Sequence, residues 1–256
     1  MKLEIERIPV LSDNYIWLAH EPASGLTAVI DPAVANAPLA RAKARGWKIS
    51  HILNTHHHPD HVGGNLDIKA ETNCTIVGPR ADAGRIPGID IEVGDGDTYA
   101  LGDAVGRVFD VPGHTSGHIA IWFGDSDALF CGDTLFILGC GRLFEGTPQQ
   151  MWTSLSKLLK LPDATRIYCA HEYTQSNARF AVTVEPHNAA LLARAATIDA
   201  MRARGEPTVP GTMGEERATN PFLRPTSPYL QRTLELVGAD PVAVFAETRK
   251  RKDNFR

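Results

Sequence analysis

Residues 54–65 read NTHHHPDHVGGN, which puts four of the chain's ten histidines within six positions, with an aspartate among them. The preceding run, HILNT, is short and apolar, as suits a buried strand ending at the histidines. At the end of an extended strand, positions 56 and 58 point to the same side, so the imidazoles of His56 and His58 can reach one ion. Pro59 then bends the path, and Asp60 and His61 can face a second point close by. A lone histidine is most often a surface or core residue, but that reading does not account for the whole H-x-H-x-D-H string. Four ligands leave two ions incomplete. The string therefore requires a fold that ends a strand at a site and brings more ligands to it from distant segments.

Three further candidates stand at the C-terminal ends of apolar runs: His114 in VFDVPGHTSGH, Asp133 in ALFCGDTLF and His171 in RIYCAHEY. Ligands gathered at strand ends are how α/β folds commonly build sites. Imidazole and carboxylate without thiolate suit zinc, iron or manganese and disfavour a closed structural cysteine site. A carboxylate such as Asp133 can bridge two cations, one oxygen to each. His57, between two candidate ligands, is expected to point the opposite way in a supporting role. His118 has two readings, support of a ligand through its second ring nitrogen or plain packing. Cys140 and Cys169 are read as small packing residues.

The rest of the chain frames this cluster. It has 256 residues, enough for one large domain or a medium domain with a smaller partner, and 43% hydrophobic content supports a sizeable core. A net charge of −4 gives no hint of nucleic acid or an anionic membrane. Four scattered cysteines, an N-terminus without an apolar leader and no apolar run near ~18 residues point to a reduced, cytoplasmic, non-membrane protein. LEIERIPV, NYIWLAHE and TAVIDP read as strands, 34–46 and 63–73 as helices, and HIAIWF with ALFCGDTLF as a hairpin around GDSD. Thr147, Pro148 and Gln150 predict a capped helix whose apolar face is Met151, Leu155, Leu158 and Leu159. Beyond residue 172 the pattern predicts helices at 174–183, 187–204, 228–237 and 240–251, with a long Gly/Pro/Thr-rich loop over 205–227. The expected organisation is an α/β domain at 1–172 and a small helical domain at 173–256.

The strings THHHPDH, PGHTSGH, FCGDTLF and CAHEY together resemble the metallo-β-lactamase superfamily. GCGRLFEGT at 139–147, NPFLR at 220–224 and RKRKDNF at 249–255 narrow the resemblance to the glyoxalase II, or hydroxyacylglutathione hydrolase, family over essentially the whole chain. The resemblance implies an α/β fold, an αββα sandwich with a C-terminal helical domain, holding two divalent metal ions, zinc first with iron or manganese as alternatives. It implies His56, His58 and His114 on one metal, Asp60, His61 and His171 on the other, and Asp133 bridging. It also implies Arg142, Tyr173, Arg249 and Lys252 as contacts to a glutathione thioester. Arg249 and Lys252, three apart, share a helix face and can converge on one carboxylate at the cavity rim, although a basic helix end is also a common solvated feature. Phe144 stands where many relatives carry tyrosine; it keeps the aromatic wall but lacks the hydroxyl.

The expected reaction is hydrolysis of S-(2-hydroxyacyl)glutathione to glutathione and a 2-hydroxy acid such as D-lactate, by a monomer. Two cations about 3.5–4 Å apart lower the pKa of a shared water toward about 7. The thiol leaving group, with a pKa near ~8.5, needs little protonation. Asp60 and Asp133 are the carboxylates expected to carry this chemistry, Asp60 chiefly as a ligand. Three rivals remain at this stage: an iron-dependent persulfide dioxygenase, which needs fewer ligands, a β-lactam hydrolase, and a metal-binding module without catalysis, whose coordination would be closed.

Overall fold

The computed structural model describes residues 2–255. The first sheet takes its strands in chain order: β1 (Glu4–Val10), β2 (Asn14–Glu21), β3 (Leu26–Ile30), β4 (Lys48–Leu53), β5 (Thr75–Pro79) and β6 (Ile91–Val93). β1 to β3 pair antiparallel; β3 to β6 pair parallel, because helices now form the crossovers. These are α1 (Asn36–Arg45), which Gly46 ends with φ +68°, α3 (Asn65–Thr72) and, between β5 and β6, a 3-10 turn at Arg80–Arg85. A short α2 (Pro59–Val62) sits between β4 and α3, where the sequence suggested only a bend. Pro59 at its first position is compatible with a helix start.

The period-2 alternation of the strands sorts their side chains into two layers. Ile16, Leu18, Val29, Ile52 and Ile76 pack with Ala42 of α1 and Ile68 of α3. Trp17, Ala19, Ala28, Ile30, Leu53 and Val77 face the other way and join the large core shared with the second sheet. Both faces of β2 are covered, which is why NYIWLAHE is almost wholly buried.

The second sheet contains β7 (Thr98–Leu101), β8 (Ala104–Asp110), β9 (Ile119–Phe123) and β10 (Ala128–Gly132). After a separate hairpin of β11 (Leu135–Phe136) and β12 (Gly139–Cys140) it continues with β13 (Arg166–Cys169) and β14 (Gly211–Thr212). Its order is β14-β13-β10-β9-β8-β7, and the expected β9–β10 hairpin is present. Helix α4 (Pro148–Leu158) has the expected capping box and buries Met151, Leu155 and Leu158; Leu159 is the half-buried C-cap.

The remaining helices are α5 (Thr174–Val184), α6 (Ala189–Ala203), α7 (Met213–Thr219), α8 (Pro228–Thr233) and α9 (Pro241–Asp253). Two expectations change here. Residues 205–227 are not one long loop. They contain β14, which pairs with β13, then α7 and a 3-10 turn at Pro221–Leu223. Thr212 and Glu215 form a second capping box that starts α7. The helix expected over 228–237 stops at Thr233, because the chain reverses through Glu235 (φ +59°) and Gly238 (φ +77°) so that Asp240 can cap α9.

Polar side chains from these C-terminal elements hold the β11–β12 hairpin. Asn177 donates to Ile137 O, Asn220 to Gly139 O and Arg249 to Cys140 O, while Glu216 accepts from Leu138 N–H. The tail is thus joined to the second sheet by a strand and to the hairpin by hydrogen bonds. Among the described residues, no helix is long and apolar enough to cross a membrane.

Candidate metal centre and substrate cavity

The seven candidate ligands meet at one end of the two sheets. His56 and His58 follow β4, His61 lies in α2, His114 follows β8, Asp133 follows β10 and His171 follows β13. His58 Nδ1 stands 3.1 Å from both His56 Nε2 and His114 Nε2. His61 Nε2 and His171 Nε2 each stand 3.6 Å from Asp60 Oδ2. Asp133 lies between the two groups. Its Oδ2 is 3.4 Å from His114 Nε2, and its Oδ1 is 3.5 Å from His61 Nε2 and 3.4 Å from His171 Nε2.

The other ring nitrogen of His56, His61, His114 and His171 is held by the protein, which leaves their converging nitrogens free. His61 Nδ1 bonds Asp31 (3.1 Å), His171 Nδ1 bonds Asp13 (2.8 Å), and His114 Nδ1 donates to Arg142 O (2.9 Å). Thr55 gives its hydroxyl proton to Asp31 and so accepts from His56 Nδ1. Asp31 also falls within a possible metal-holding group with His56 and His61. Both its oxygens are already engaged by Thr55 and His61, so it orients rather than ligates.

A cation fits this arrangement. His61 Nε2 and Asp133 Oδ1 are buried without a hydrogen-bond partner, a costly state unless an ion satisfies them. Burial and the neighbouring imidazoles push His56 well below its ordinary pKa, and burial lowers His58 and His114, so these rings are neutral and offer lone pairs. Burial alone would raise Asp133, but the His61 and His171 imidazoles outweigh it and hold the carboxyl well below its usual range. Burial likewise lowers His171, but Asp133 and Asp13 outweigh it and bring the ring to about 9. The second group thus attracts positive charge.

The local chain explains the placement. Gly132 has φ +46°, and a Cβ there would lie 2.2 Å from Thr55 Oγ1, so only glycine lets β10 close against the histidine loop. His118 has a definite role: its Nε2 accepts from Asp133 N–H (3.1 Å) and fixes the backbone that presents the carboxylate. His57 points away, toward Asp82, as expected.

Next to these ligands opens a cavity of about 520 Å³, lined by His58, Asp60, His114, Asp133 and His171 and by all five expected substrate-side residues. Phe144 is 62% exposed and lies over His114 and His58, with ring centroids 5.1 and 5.8 Å away. Tyr173 stacks flat on His171 at 4.7 Å. The Arg142 side chain is largely exposed, 4.0 Å from Asp253. Lys252 is half-buried, its Nζ 3.1 Å from Ser176 Oγ.

Arg249 lines the cavity as expected, but its guanidinium is engaged by the protein. It is buried, donates through Nη1 to Cys140 O (2.9 Å) and through Nε and Nη2 to Asp253 (3.0 and 2.7 Å), and lies over the Phe222 ring. Its position on α9 faces the hairpin, which sequence spacing alone does not reveal. Four supporting residues were also missed: Asp13, Asn14, Asp31 and Asp82. Asn14 donates to Asp60 Oδ2 (3.0 Å). The available signals were the polar SDN turn between two apolar strands and the Asp-Pro ending TAVIDP.

The metallo-β-lactamase superfamily description matches residues 12–171, and that of the hydroxyacylglutathione hydrolase C-terminus matches residues 172–255. The chain is 61% identical over 254 residues to a hydroxyacylglutathione hydrolase of Methylococcus capsulatus, covering 99% of each chain. It is 58% identical over 253 residues to one of Rhodospirillum rubrum, again covering 99% of each. Its fold is similar to that of a metallo-β-lactamase from Staphylococcus aureus, with a TM-score of 0.69 and 22% identity over 98% of this chain and 71% of that one. The fold and the His/Asp clusters together support divalent metal binding. By sequence over its full length and by fold, the chain belongs to the hydroxyacylglutathione hydrolase family of the metallo-β-lactamase superfamily.

Proposed function

We propose that this hydrolase cleaves S-(2-hydroxyacyl)glutathione to glutathione and a 2-hydroxy acid, using two divalent cations, zinc first among the candidates. His56, His58 and His114 would hold one cation, Asp60, His61 and His171 the other, and Asp133 would bridge. The observation that carries this reading is the split of the Asp133 carboxylate, one oxygen toward each group of imidazoles. When bound, the pair supplies a water acidic enough to ionise near neutral pH and polarises the thioester carbonyl. Asp60, kept ionised by His61 and by Asn14 against the opposing effect of burial, keeps its Oδ2 turned toward the second group. A thiolate leaving group makes a dedicated acid unnecessary.

The cavity supports the substrate class. Arg142 and Lys252 offer positive charge to a carboxylate, and Phe136, Phe144 and Tyr173 give walls for the peptide between the basic end and the histidines. Arg249, tied to Cys140 and Asp253, would set the position of α9 and hence of Lys252. The family names of the relatives agree with this substrate.

The direct test follows thioester absorbance with S-D-lactoylglutathione, before and after chelation, with elemental analysis of the protein. Chelator-sensitive turnover and two metals per chain are expected. Asp133→Asn should lose at least about a hundredfold in kcat together with metal, since even outer-shell changes cost 10–100-fold. Full activity at one metal per chain would overturn the two-metal reading.

A further inference from the structure

His57 lies between two of the converging histidines but turns from them to Asp82 Oδ2, at 2.9 Å. Asp82 is fully buried in the 3-10 turn Arg80–Arg85 and accepts from Arg85 of the same turn. Arg85 also reaches Glu145, Nη1 to Oε1 at 2.5 Å and Nη2 to Oε2 at 3.1 Å, and Ser116 Oγ at 3.0 Å. Glu145 in turn accepts from Ser116 N–H (2.6 Å) and Oγ (2.8 Å). One carboxylate therefore joins the 3-10 turn and the segment after His114 to its own loop, and through Asp82 and His57 it connects to the histidine string.

Glu145 follows Phe144 by one residue and Arg142 by three. Leu143 is half-buried against the large core, but the Arg142 and Phe144 side chains on either side of it are mostly exposed and gain little fixation from packing. The backbone of this loop is anchored at both ends: Gly141 N–H donates to Thr134 O and Arg142 O accepts from His114 Nδ1, while Gly146 N–H donates to Gly113 O and a Cβ on Gly146 would meet Gly113 Cα at 2.5 Å. Between these ends, the charge-assisted bonds of Glu145 hold the exposed stretch that carries Phe144.

We propose that Glu145, held by Arg85, is a positioning residue for substrate recognition, fixing the 141–147 loop so that Arg142 and Phe144 stand over the cavity. This rests on reading the cavity as the glutathione-thioester site. Arg85 and Glu145 touch neither the converging ligands nor the reacting position, so their loss should weaken binding and leave the chemistry intact.

The test compares Glu145→Gln, Arg85→Met, their double variant and Arg85→Lys. KM for S-D-lactoylglutathione should rise about five- to twentyfold in each of the first two, the scale of a partly screened charge-assisted pair. The double variant should be no worse than the stronger single, because both break one network. Arg85→Lys, which keeps the charge and one arm, should fall between wild type and Arg85→Met. Throughout, kcat should stay within about twofold, and metal content should match wild type. Hydrogen exchange of the 141–147 amides, which needs no substrate, should accelerate in Glu145→Gln. Unchanged exchange, or a kcat loss that tracks metal loss at constant KM, overturns the proposal. Wild-type protein inert toward the thioester would overturn the functional reading instead, while the exchange result would still decide whether Glu145 holds the loop.

Discussion

Lys252 carries a charge that depends on pH within the working range. Burial, and then the guanidiniums of Arg249 and Arg142, push its pKa down to about 8. Below that value the ammonium attracts a carboxylate; above it the amine is neutral. KM for a glutathione thioester should therefore rise as pH climbs through about 8. Lys252→Ala should start about five- to thirtyfold higher and lose this dependence, since the side chain is half-exposed and its attraction partly screened. A wild-type KM that stays flat well above that pH would contradict the assignment. For stability the sign is reversed. The folded pKa lies below the unfolded value of about 10.4, so between the two the unfolded chain binds more protons and stability rises with pH. Arg249 behaves differently because it is buried and tied to Cys140 O. Arg249→Ala leaves that carbonyl without its donor, a cost of about 1–3 kcal/mol. The melting temperature should fall by about 2–4 °C per kcal/mol in a chain of this size, while Lys252→Ala should melt near wild type. Calorimetry of the two variants separates a scaffold role from the binding role proposed for Lys252.

At the scale of elements, two capping boxes had unequal legibility. Thr147-Pro148-Gln-Gln150 precedes a clear apolar stripe, and α4 forms where expected. Thr212-Met-Gly-Glu215 has the same cap chemistry, but it lies in a Gly/Pro/Thr-rich stretch and starts a helix of only seven residues, too short to show a period. That helix matters because Glu216 and Asn220 hold the β11–β12 hairpin from behind. Thr212→Ala should cost about 0.5–2 kcal/mol in urea unfolding, the usual range for a lost N-cap. A value near zero would mean that β14 pairing, and not the cap, starts α7. The helix expected through residue 237 failed for the opposite reason: its apolar residues Leu234 and Leu236 continue the pattern but pack in a turn.

At the scale of the whole molecule, the candidate ligands come from both sheets. His56 and His58 follow β4 of the first; Asp133 and His171 follow β10 and β13 of the second. Cations between them would cross-link the sheets, so their binding free energy would be folding free energy. With free metal a thousandfold above its Kd, the stabilisation is about 4 kcal/mol. At about 2–4 °C per kcal/mol, chelation should lower the melting temperature by about 8–16 °C. Scanning calorimetry with and without a chelator checks this, and an unchanged melting temperature would show that the sheet ends hold together without a metal.

What the sequence determined by itself was everything encoded over a few neighbouring residues. The H-x-H-x-D-H string, the apolar runs ending at His114, Asp133 and His171, the alternation of β2 and the cap of α4 are local patterns with local causes. The family resemblance extended that reading to the remote positions 142, 144, 173, 249 and 252. Only the tertiary structure decided which partners those positions meet. Asp13, Asn14 and Asp31 orient candidate ligands 30–158 residues away along the chain. Glu145 meets Arg85 across 60 positions, and Arg249 meets Cys140 across 109. A carboxylate or guanidinium carries no local sign of which distant atom it will bond, because that depends on how the two sheets and the tail pack.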